Sequence, residues 1–600
     1  MATYYVGLAA SFHDPAMAIV APDGEILFAE AQERYLQDKR AFNAVPDHIL
    51  RAPKLIRHYC GKDADVVVAV SWSKKVLKSL WTSSLVDVPG IGGLLRPVND
   101  FFMARSDHLV WPWPRFDHLR QGMLSTLSLA GHNLGALRDQ GFQVAGIRRY
   151  DHHLTHAATA CYTSPFEEAA CAVIDGYGEW SSTNFYSWRD GAFKSLAAKP
   201  KALAQNSGSL GMFYSKVCAL CGFDTVQGEE WKVMGLAPYG RLDAEFYELL
   251  RPLVQADGLA LHNPQGRDTG RRLKEVQALM AAAKADPDPS VYQRRRADLG
   301  RTGQEIFAEV AGELLAALYA VHPSDNLAFG GGCALNSSYS GRILSSTPFK
   351  ALHVPMAPGD DGNALGAALL AWAEDHPGRA RAGAGRTLSP YLGSAAAPSA
   401  LERMVRFGGF TSLQHLPDGQ VVTKASQLLA DGRIIGWFQD RAEFGPRALG
   451  NRSILADPRN PGMKDRINDR VKFREEFRPF APSVLHEHGP DWFEDYQSSP
   501  YMERTLVFRP EVRERVPAVV HEDFTGRLQS VTEEINPRYH ALISAFHELT
   551  GVPMLLNTSF NVMGKPIVHS VEDAIAVFAT SGLDALVIND YLIEKQGAGA

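Results

Sequence analysis

Apolar runs that stop at a glycine-bearing polar turn and resume as a helix-like segment recur along the first part of this sequence. Residues 170–174 run into Asp175-Gly176, and residues 326–329 into Gly330-Gly331-Gly332. Residues 352–354 lead through a loop to Asp360-Asp361-Gly362 and then to an alanine- and leucine-rich segment, 364–374. Strand, turn and helix in alternation predict an α/β architecture, because a helix packed on a sheet buries the apolar faces of both. Residues 377–400 break the pattern with small, flexible and polar residues and read as a linker. Beyond it, residues 433–438 and 552–556 again read as buried strands. A chain of 600 residues is too long for one core, so we expect a first domain over 1–376 and a second over 401–600.

Charge and cysteine content narrow the function classes. A formal net charge of -6 argues against general nucleic-acid binding, which shows as a basic excess. The N-terminus has no basic stretch ahead of an apolar one, and no apolar run reaches membrane-spanning length. Six cysteines in this length fit reduced thiols and a cytoplasmic location. Cys218 and Cys221 form a C-x-x-C with no partner pair, which reads as structural.

The first half holds a candidate metal site. Asp151 is placed to cap a helix that carries His152, His153 and His156. His152 and His156, four apart, share a helix face and can reach one ion. His153 points elsewhere, as a neighbour or packing residue. Asp175 and Asp360 end strand-like runs beside glycine turns, where α/β folds build ligand sites. Two imidazoles and two carboxylates suit Fe2+, Zn2+ or Mn2+ alike. Gly330-Gly331-Gly332-Cys333-Ala334-Leu335-Asn336 would let backbone N–H groups approach an anion, without being a Walker loop. Residues 6–12, His13-Asp14-Pro15 and residues 16–20 read as a hairpin whose polar turn could touch a ligand. Residues 285–305 are charged and predict a surface loop or exposed helix.

The second half carries a basic cluster. Arg441, Arg447, Arg452, Arg459, Lys464, Arg466, Arg470, Lys472, Arg474 and Arg478 fall within a short stretch. Asp440, Glu443, Asp457, Asp465, Asp469, Glu475 and Glu476 account for part of it as surface pairs. Arg447 and Arg478 sit instead among apolar and rigid residues, in Phe444-Gly445-Pro446-Arg447 and Phe477-Arg478-Pro479-Phe480. An arginine so embedded needs an anion, and phosphate offers a bidentate match.

Taken in order, these motifs resemble one family. His13-Asp14, Glu33-Arg34 with Lys39, His152-x-x-x-His156, Ile174-Asp175-Gly176 and Gly228-Glu229-Glu230-Trp231-Lys232 precede Gly331-Gly332-Cys333-Ala334-Leu335-Asn336 and Gly359-Asp360-x-Gly362. Gly445-Pro446-Arg447-Ala448-Leu449-Gly450-Asn451-Arg452, Lys472-x-Arg474-Glu475-x-Phe477-Arg478-Pro479-Phe480, Gly526-Arg527 and Leu556-Asn557-Thr558-Ser559 follow. The whole is similar to the NodU/CmcH carbamoyltransferases. Lys565 and Pro15 depart from the family pattern.

The resemblance implies an actin-like ATPase (ASKHA) fold first, similar to the tRNA threonylcarbamoyladenosine synthase subunit, and a YrdC-like α/β domain second. It implies iron at His152, His156, Asp175 and Asp360, and a carbamoyl-nucleotide near Gly331, Gly332, Cys333 and Asn336. Lys39 would contact the carbamoyl donor, and His13, Glu229 and Glu230 the acceptor, with His13 or Glu230 taking its proton. Arg447, Lys472, Arg478, Arg527, Asn557 and Ser559 would bind ATP and carbamoyl phosphate, with Mg2+. Carbamoyl adenylate would form in the second domain and pass its carbamoyl group to a hydroxylated small molecule in the first. Two other readings share parts of this pattern: a tRNA threonylcarbamoyladenosine enzyme, and a nucleotide-sensing protein without turnover.

Overall fold

The computed structural model describes residues 2–11, 13–42, 44–47, 50–74, 135–179, 181–196, 208–264, 266–417 and 419–595. The chain forms two compact units. The first comprises Met1–Gln32, Arg40–Leu335 and Ile343–Thr387; the second comprises Glu33–Lys39, Asn336–Arg342 and Leu388–Ala600. Two short segments that precede Leu388 in the chain therefore count with the second unit.

The first unit uses one strand pattern twice. β1 (Thr3–Ala9), β2 (Ala16–Val20) and β3 (Ile26–Ala31) form an antiparallel meander. β4 (Asp65–Ser71) then pairs parallel to β1, and β5 (Gln143–Tyr150) parallel to β4, giving the order β3-β2-β1-β4-β5. β6 (Glu168–Ile174), β7 (Thr183–Arg189) and β8 (Ala192–Ser195) repeat the meander. A small hairpin, β9 (Gln255–Asp257) and β10 (Ala260–His262), stands apart. β11 (Asn326–Gly330) pairs parallel to β6 and β12 (Ala351–His353) parallel to β11. This duplicated five-strand order is the actin-like ATPase arrangement, and the fold is α/β. β4 reads Asp-Val-Val-Val-Ala-Val-Ser with every residue after the first buried, the continuous apolar run of a strand covered on both faces.

Two helices border the candidate site of this unit. The helix His152–Tyr162 starts at Asp151, whose side chain accepts from Leu154 N at 3.0 Å. The helix Asn363–Asp375 crosses it closely. A Cβ on Gly366 would lie 2.0 Å from the Thr155 carbonyl oxygen, so only glycine permits this approach. Thr159 Oγ1 donates to Gly362 O at 2.7 Å and ties the first helix to the start of the second. The charged stretch at 285–305 belongs mostly to a long helix, Pro289–Val321, capped by Asp288 and buried along one face from Ala297 onward. The expected hairpin forms as β1 and β2, while Phe12 lies outside the described residues.

The second unit is built on one mixed sheet. Its strands are β13 (Gln414–His415), β14 (Ile435–Phe438), β15 (Arg452–Ala456), β16 (Ala481–Leu485), β17 (Arg504–Val507), β18 (Thr525–Val531), β19 (Met554–Ser559), β20 (Ala585–Ile588) and β21 (Tyr591–Glu594). Among the described residues their order is β13-β21-β20-β14-β15-β19-β16-β18-β17. Helices Gln420–Ala430 and Pro537–Thr550 close over a core that includes Trp437, Phe438, Tyr539, Phe546 and Leu556. No helix among the described residues is long and apolar enough to cross a membrane.

Candidate metal centre and anion pocket

His152, His156, Asp175 and Asp360 converge in the first unit, their ligand atoms all within 4.8 Å of one another. The helix His152–Tyr162 presents both imidazoles, β6 ends just before Asp175, and Asp360 opens the short turn Asp360–Gly362. His152 Nε2 lies 3.2 Å from Asp175 Oδ2 and 3.6 Å from Asp360 Oδ1. His156 Nε2 lies 3.7 and 3.4 Å from the same two oxygens, and 3.2 Å from His152 Nε2. Four donors held about 2.1 Å from one tetrahedral ion would be roughly 3.4 Å apart, so the set fits a metal. The electrostatics agree. Burial opposes charge on His152, yet Asp360 and Asp175 hold its pKa up to about 9. Both carboxylates stay far below the usual range despite burial, through the neighbouring imidazoles. A point that draws a proton so strongly is one that a cation can occupy.

The surroundings orient these ligands. Gly331, at φ +88° with no room for a Cβ against the Ile174 carbonyl, turns the chain so that Gly332 N donates to Asp175 Oδ1 at 2.9 Å. Trp72 packs on His152, ring centroids 4.4 Å apart. His153 is held neutral, its pKa down at about 3 through burial and the neighbouring His152; its Nδ1 takes a hydrogen bond from Asn184 at 2.8 Å. His13 reaches the cluster, with Nδ1 3.8 Å from Asp360 Oδ2 and 2.8 Å from Asp14 Oδ2. Burial opposes charge on Asp14, but Arg40 and His13 keep its carboxyl below the usual range.

The other acceptor-side residues differ in character. Glu229 is spent locally, accepting from Asp224 N at 3.0 Å and pairing with Lys232 at 2.7 Å. Glu230 accepts from Ser215 Oγ at 2.5 Å; after burial, its charge and that of Asp175 push up the thiol pKa of Cys333. Lys39 and Asn336 group with the second unit, whereas Gly331, Gly332 and Cys333 stay with the first. Asn336 Oδ1 caps the short helix Ser337–Ser340, accepting from Tyr339 N at 3.1 Å. Cys218 and Cys221 are buried free thiols, outside any metal-ligand group among the described residues.

In the second unit Arg447, Lys472, Arg474, Arg478 and Arg527 gather, and Glu475 pairs with Arg478 at 3.5 Å. Burial, then Arg474 and Arg478, push the Lys472 pKa well down. Burial, then Arg447, Arg474 and Arg478, do the same to Arg527. Arg447 falls to about 10 through burial. Lys472 Nζ is fixed by Ser559 O and Oγ, the latter at 3.2 Å, and by Asn561 Oδ1 at 2.7 Å. Ser559 therefore positions the lysine. Asn557 bonds to Ser483 Oγ at 2.9 Å and Ala448 O at 3.2 Å, bracing strands and the Arg447 loop.

Residues 124–369 match the family description "Carbamoyltransferase N-terminus" and residues 426–595 match "Carbamoyltransferase C-terminus". The chain belongs to the carbamoyltransferase family. It is 39% identical to nodulation protein NolNO of Sinorhizobium fredii over 74% of this chain and 64% of that one. It is 36% identical to nodulation protein NolO of Bradyrhizobium diazoefficiens, over 75% of this chain and 79% of that one. An uncharacterized Synechocystis protein is 32% identical over 99% of this chain and 97% of its own. Full-length HypF in a phosphate- and nucleotide-bound form aligns at 14% identity and a TM-score of 0.31, over 62% of this chain and 55% of that one. At that score the duplicated strand order, not the likeness, carries the fold.

Three residues of this carbamoyltransferase's sites escaped the sequence reading as site residues. Arg474 joins the cationic pocket, its Nε donating to Asn468 Oδ1 at 2.9 Å and its guanidinium lying 4.4 Å from the Phe480 ring centre. Its place between Lys472 and Arg478 in one motif was the available signal. Glu443, expected as a surface partner, is buried: Oε1 accepts from Leu449 N, Asn451 N and Arg452 N at 2.7, 2.9 and 3.1 Å. It shapes the loop that carries Arg447, because a buried carboxylate facing three amides satisfies all of them at once. Asn363 is buried against both histidines of the cluster. Its place directly after the Gly359-Asp360-x-Gly362 motif was the available signal.

Proposed function

We propose that this carbamoyltransferase family member activates carbamoyl phosphate with ATP in its second unit and carbamoylates a hydroxyl group of a small molecule in its first. The observation that supports activation is the gathering of Arg447, Lys472, Arg474, Arg478 and Arg527: burial drives down the pKa values of Arg447, Lys472, Arg474 and Arg527, and neighbouring arginines reinforce it at the last three. Such a group is stable beside a polyanion, and triphosphate together with a phosphate ester supplies one.

In the first stage carbamoyl phosphate loses phosphate to water, and the resulting carbamate oxygen attacks the α-phosphorus of ATP. The Pα–O bond to the β-phosphate breaks, leaving carbamoyl adenylate and pyrophosphate. Arg447, Arg474, Arg478 and Arg527 would hold the phosphates in line, and Lys472 would meet charge as it develops on the transferring group. Mg2+ accompanies the nucleotide.

In the second stage the acceptor oxygen attacks the carbamoyl carbon and AMP leaves. Asp14 accepts from His13 Nδ1 at 2.8 Å, the tautomer in which Nε2 is the basic nitrogen and would take the hydroxyl proton. An ion held by His152, His156, Asp175 and Asp360 would supply Lewis acidity for the adenylate. Glu230 lies on the Cys333 side and would contact the acceptor. Carbamoyl adenylate hydrolyses readily, so one chain with both activities limits its loss to water.

The test is incubation with ATP and carbamoyl phosphate, with and without a panel of hydroxylated metabolites and with a separate tRNA arm. Pyrophosphate, phosphate and AMP should form, and an acceptor should gain the mass of one carbamoyl group. Modification confined to the tRNA arm, or no pyrophosphate under any condition, would overturn the reading.

A further inference from the structure

This inference rests on the metal reading of the histidine–aspartate cluster. His152 turns Nε2 toward the other donors, 3.2 Å from Asp175 Oδ2 and 3.2 Å from His156 Nε2. A neutral imidazole that ligates through Nε2 carries its proton on Nδ1. His152 is buried, so that N–H needs an acceptor within the protein. The side chain that the fold sets beside Nδ1 is Asn363, 1% exposed, with its amide nitrogen 3.4 Å from His152 Nδ1 and 3.1 Å from His156 Nε2. With the nitrogen on that side, Oδ1 is buried with no hydrogen-bond partner among the described residues. The oxygen and nitrogen of a carboxamide have nearly the same shape, and half a turn about the last side-chain bond exchanges them.

We propose that Asn363 is a positioning residue of the metal centre, its carboxamide oxygen accepting His152 Nδ1–H and so committing Nε2 to the ion. The exchange gives the buried oxygen a donor and faces an acceptor, not an N–H2 group, toward the ligating histidines. Chain placement suits the role. Asn363 begins the helix Asn363–Asp375 immediately after the turn Asp360–Gly362, so one short segment supplies the ligand Asp360 and the acceptor for His152. Trp72 covers the His152 ring, with centroids 4.4 Å apart and planes inclined by 33°. Stacking limits the tilt of the ring, while the bond to Asn363 selects its tautomer and its rotation.

The experiment is a Co2+ titration of the full-length protein, read by ligand-field absorption and by chelator competition. Asn363→Leu keeps the branched shape, with bulkier methyl groups, and removes the acceptor; Asn363→Asp keeps the acceptor. The leucine variant should bind Co2+ about 10–100-fold more weakly, with a shifted absorption band, and the aspartate variant should match wild type or bind more tightly. Circular dichroism of the metal-free proteins checks folding, and Asn363→Ala stands in should the leucine variant misfold. Wild-type affinity and an unchanged spectrum in a folded variant lacking the acceptor would overturn this inference alone. Failure of the wild-type protein to take up stoichiometric metal would overturn the metal reading and this inference with it.

Discussion

In the first unit a buried and a part-buried carboxylate face two buried imidazoles at 3.2–3.7 Å. In the second, part-buried arginines gather with a buried lysine, and charge on Arg474 is opposed by desolvation and by Arg478. The first site draws a proton onto His152, whereas the second pushes protons away from Lys472 and Arg527. One region gathers carboxylates around imidazoles that could hold a cation, and the other gathers arginines around a lysine. Neither is a low-energy arrangement for the protein by itself, since burying charge without a full complement costs several kcal/mol per ion. The difference teaches which ligand each region is built to meet, and it predicts that the two can be damaged separately.

The largest effect should come from emptying the first site. The His152→Ala/His156→Ala variant should lose its stoichiometric metal by elemental analysis, and carbamoylated product should fall below detection. Pyrophosphate release from ATP and carbamoyl phosphate should persist in the same protein. Retained metal would break the assignment of ligands.

Lys472→Ala sharpens the comparison from the other side. Removing a cation aimed at developing phosphate charge costs on the order of 10²–10³ in rate. Pyrophosphate release should fall by that factor, while carbamoyl adenylate supplied directly should still be consumed to form product. Quenched-flow measurement of pyrophosphate and product in both variants separates two sites from one. Equal loss of both steps in both variants would end the two-site mechanism.

A smaller effect is expected at Glu443, which supports the arginine loop without joining the pocket. Glu443→Ala leaves buried amides of Leu449, Asn451 and Arg452 unpaired. Each loss is worth about 1–3 kcal/mol, less whatever water restores. Urea denaturation should show the second unit destabilised, and phosphate affinity should weaken more than metal affinity does. Equal weakening of both would mean that the loop does not act locally.

The smallest effect is a pH dependence. Burial, opposed by Asp523 and reinforced by Arg527 and Lys464, pulls the His521 pKa down to about 4 from an ordinary 6.5. Between those values the unfolded chain binds more protons than the folded one, so stability rises with pH and is lost as pH falls from 6.5 toward 4. His521→Gln should flatten this part of the stability profile measured by thermal melts at a series of pH values. An unchanged slope would mean that His521 does not titrate in this environment.

The α/β class, the strands ending at Asp175 and before Asp360, and the helix start at Asp151 were legible in the chain, because each is written in local rules of period, capping and turn chemistry. Helical spacing alone put His152 and His156 on one face. The arginines at 447 and 478 declared themselves by being set among apolar neighbours. The duplicated strand order was not legible, since strands as unlike as Asp-Val-Val-Val-Ala-Val-Ser and Asn-Leu-Ala-Phe-Gly take the equivalent place beside the first strand of each sheet. Burial and pairing select strands; they do not require the same letters. Tertiary structure alone decided that Asp175 and Asp360 point at the same histidines, that Glu443 turns inward to three amides, and that Asn363 meets the ring of His152. Those contacts depend on how helices cross and loops close over long stretches of chain, and local sequence carries no direct record of a distant partner.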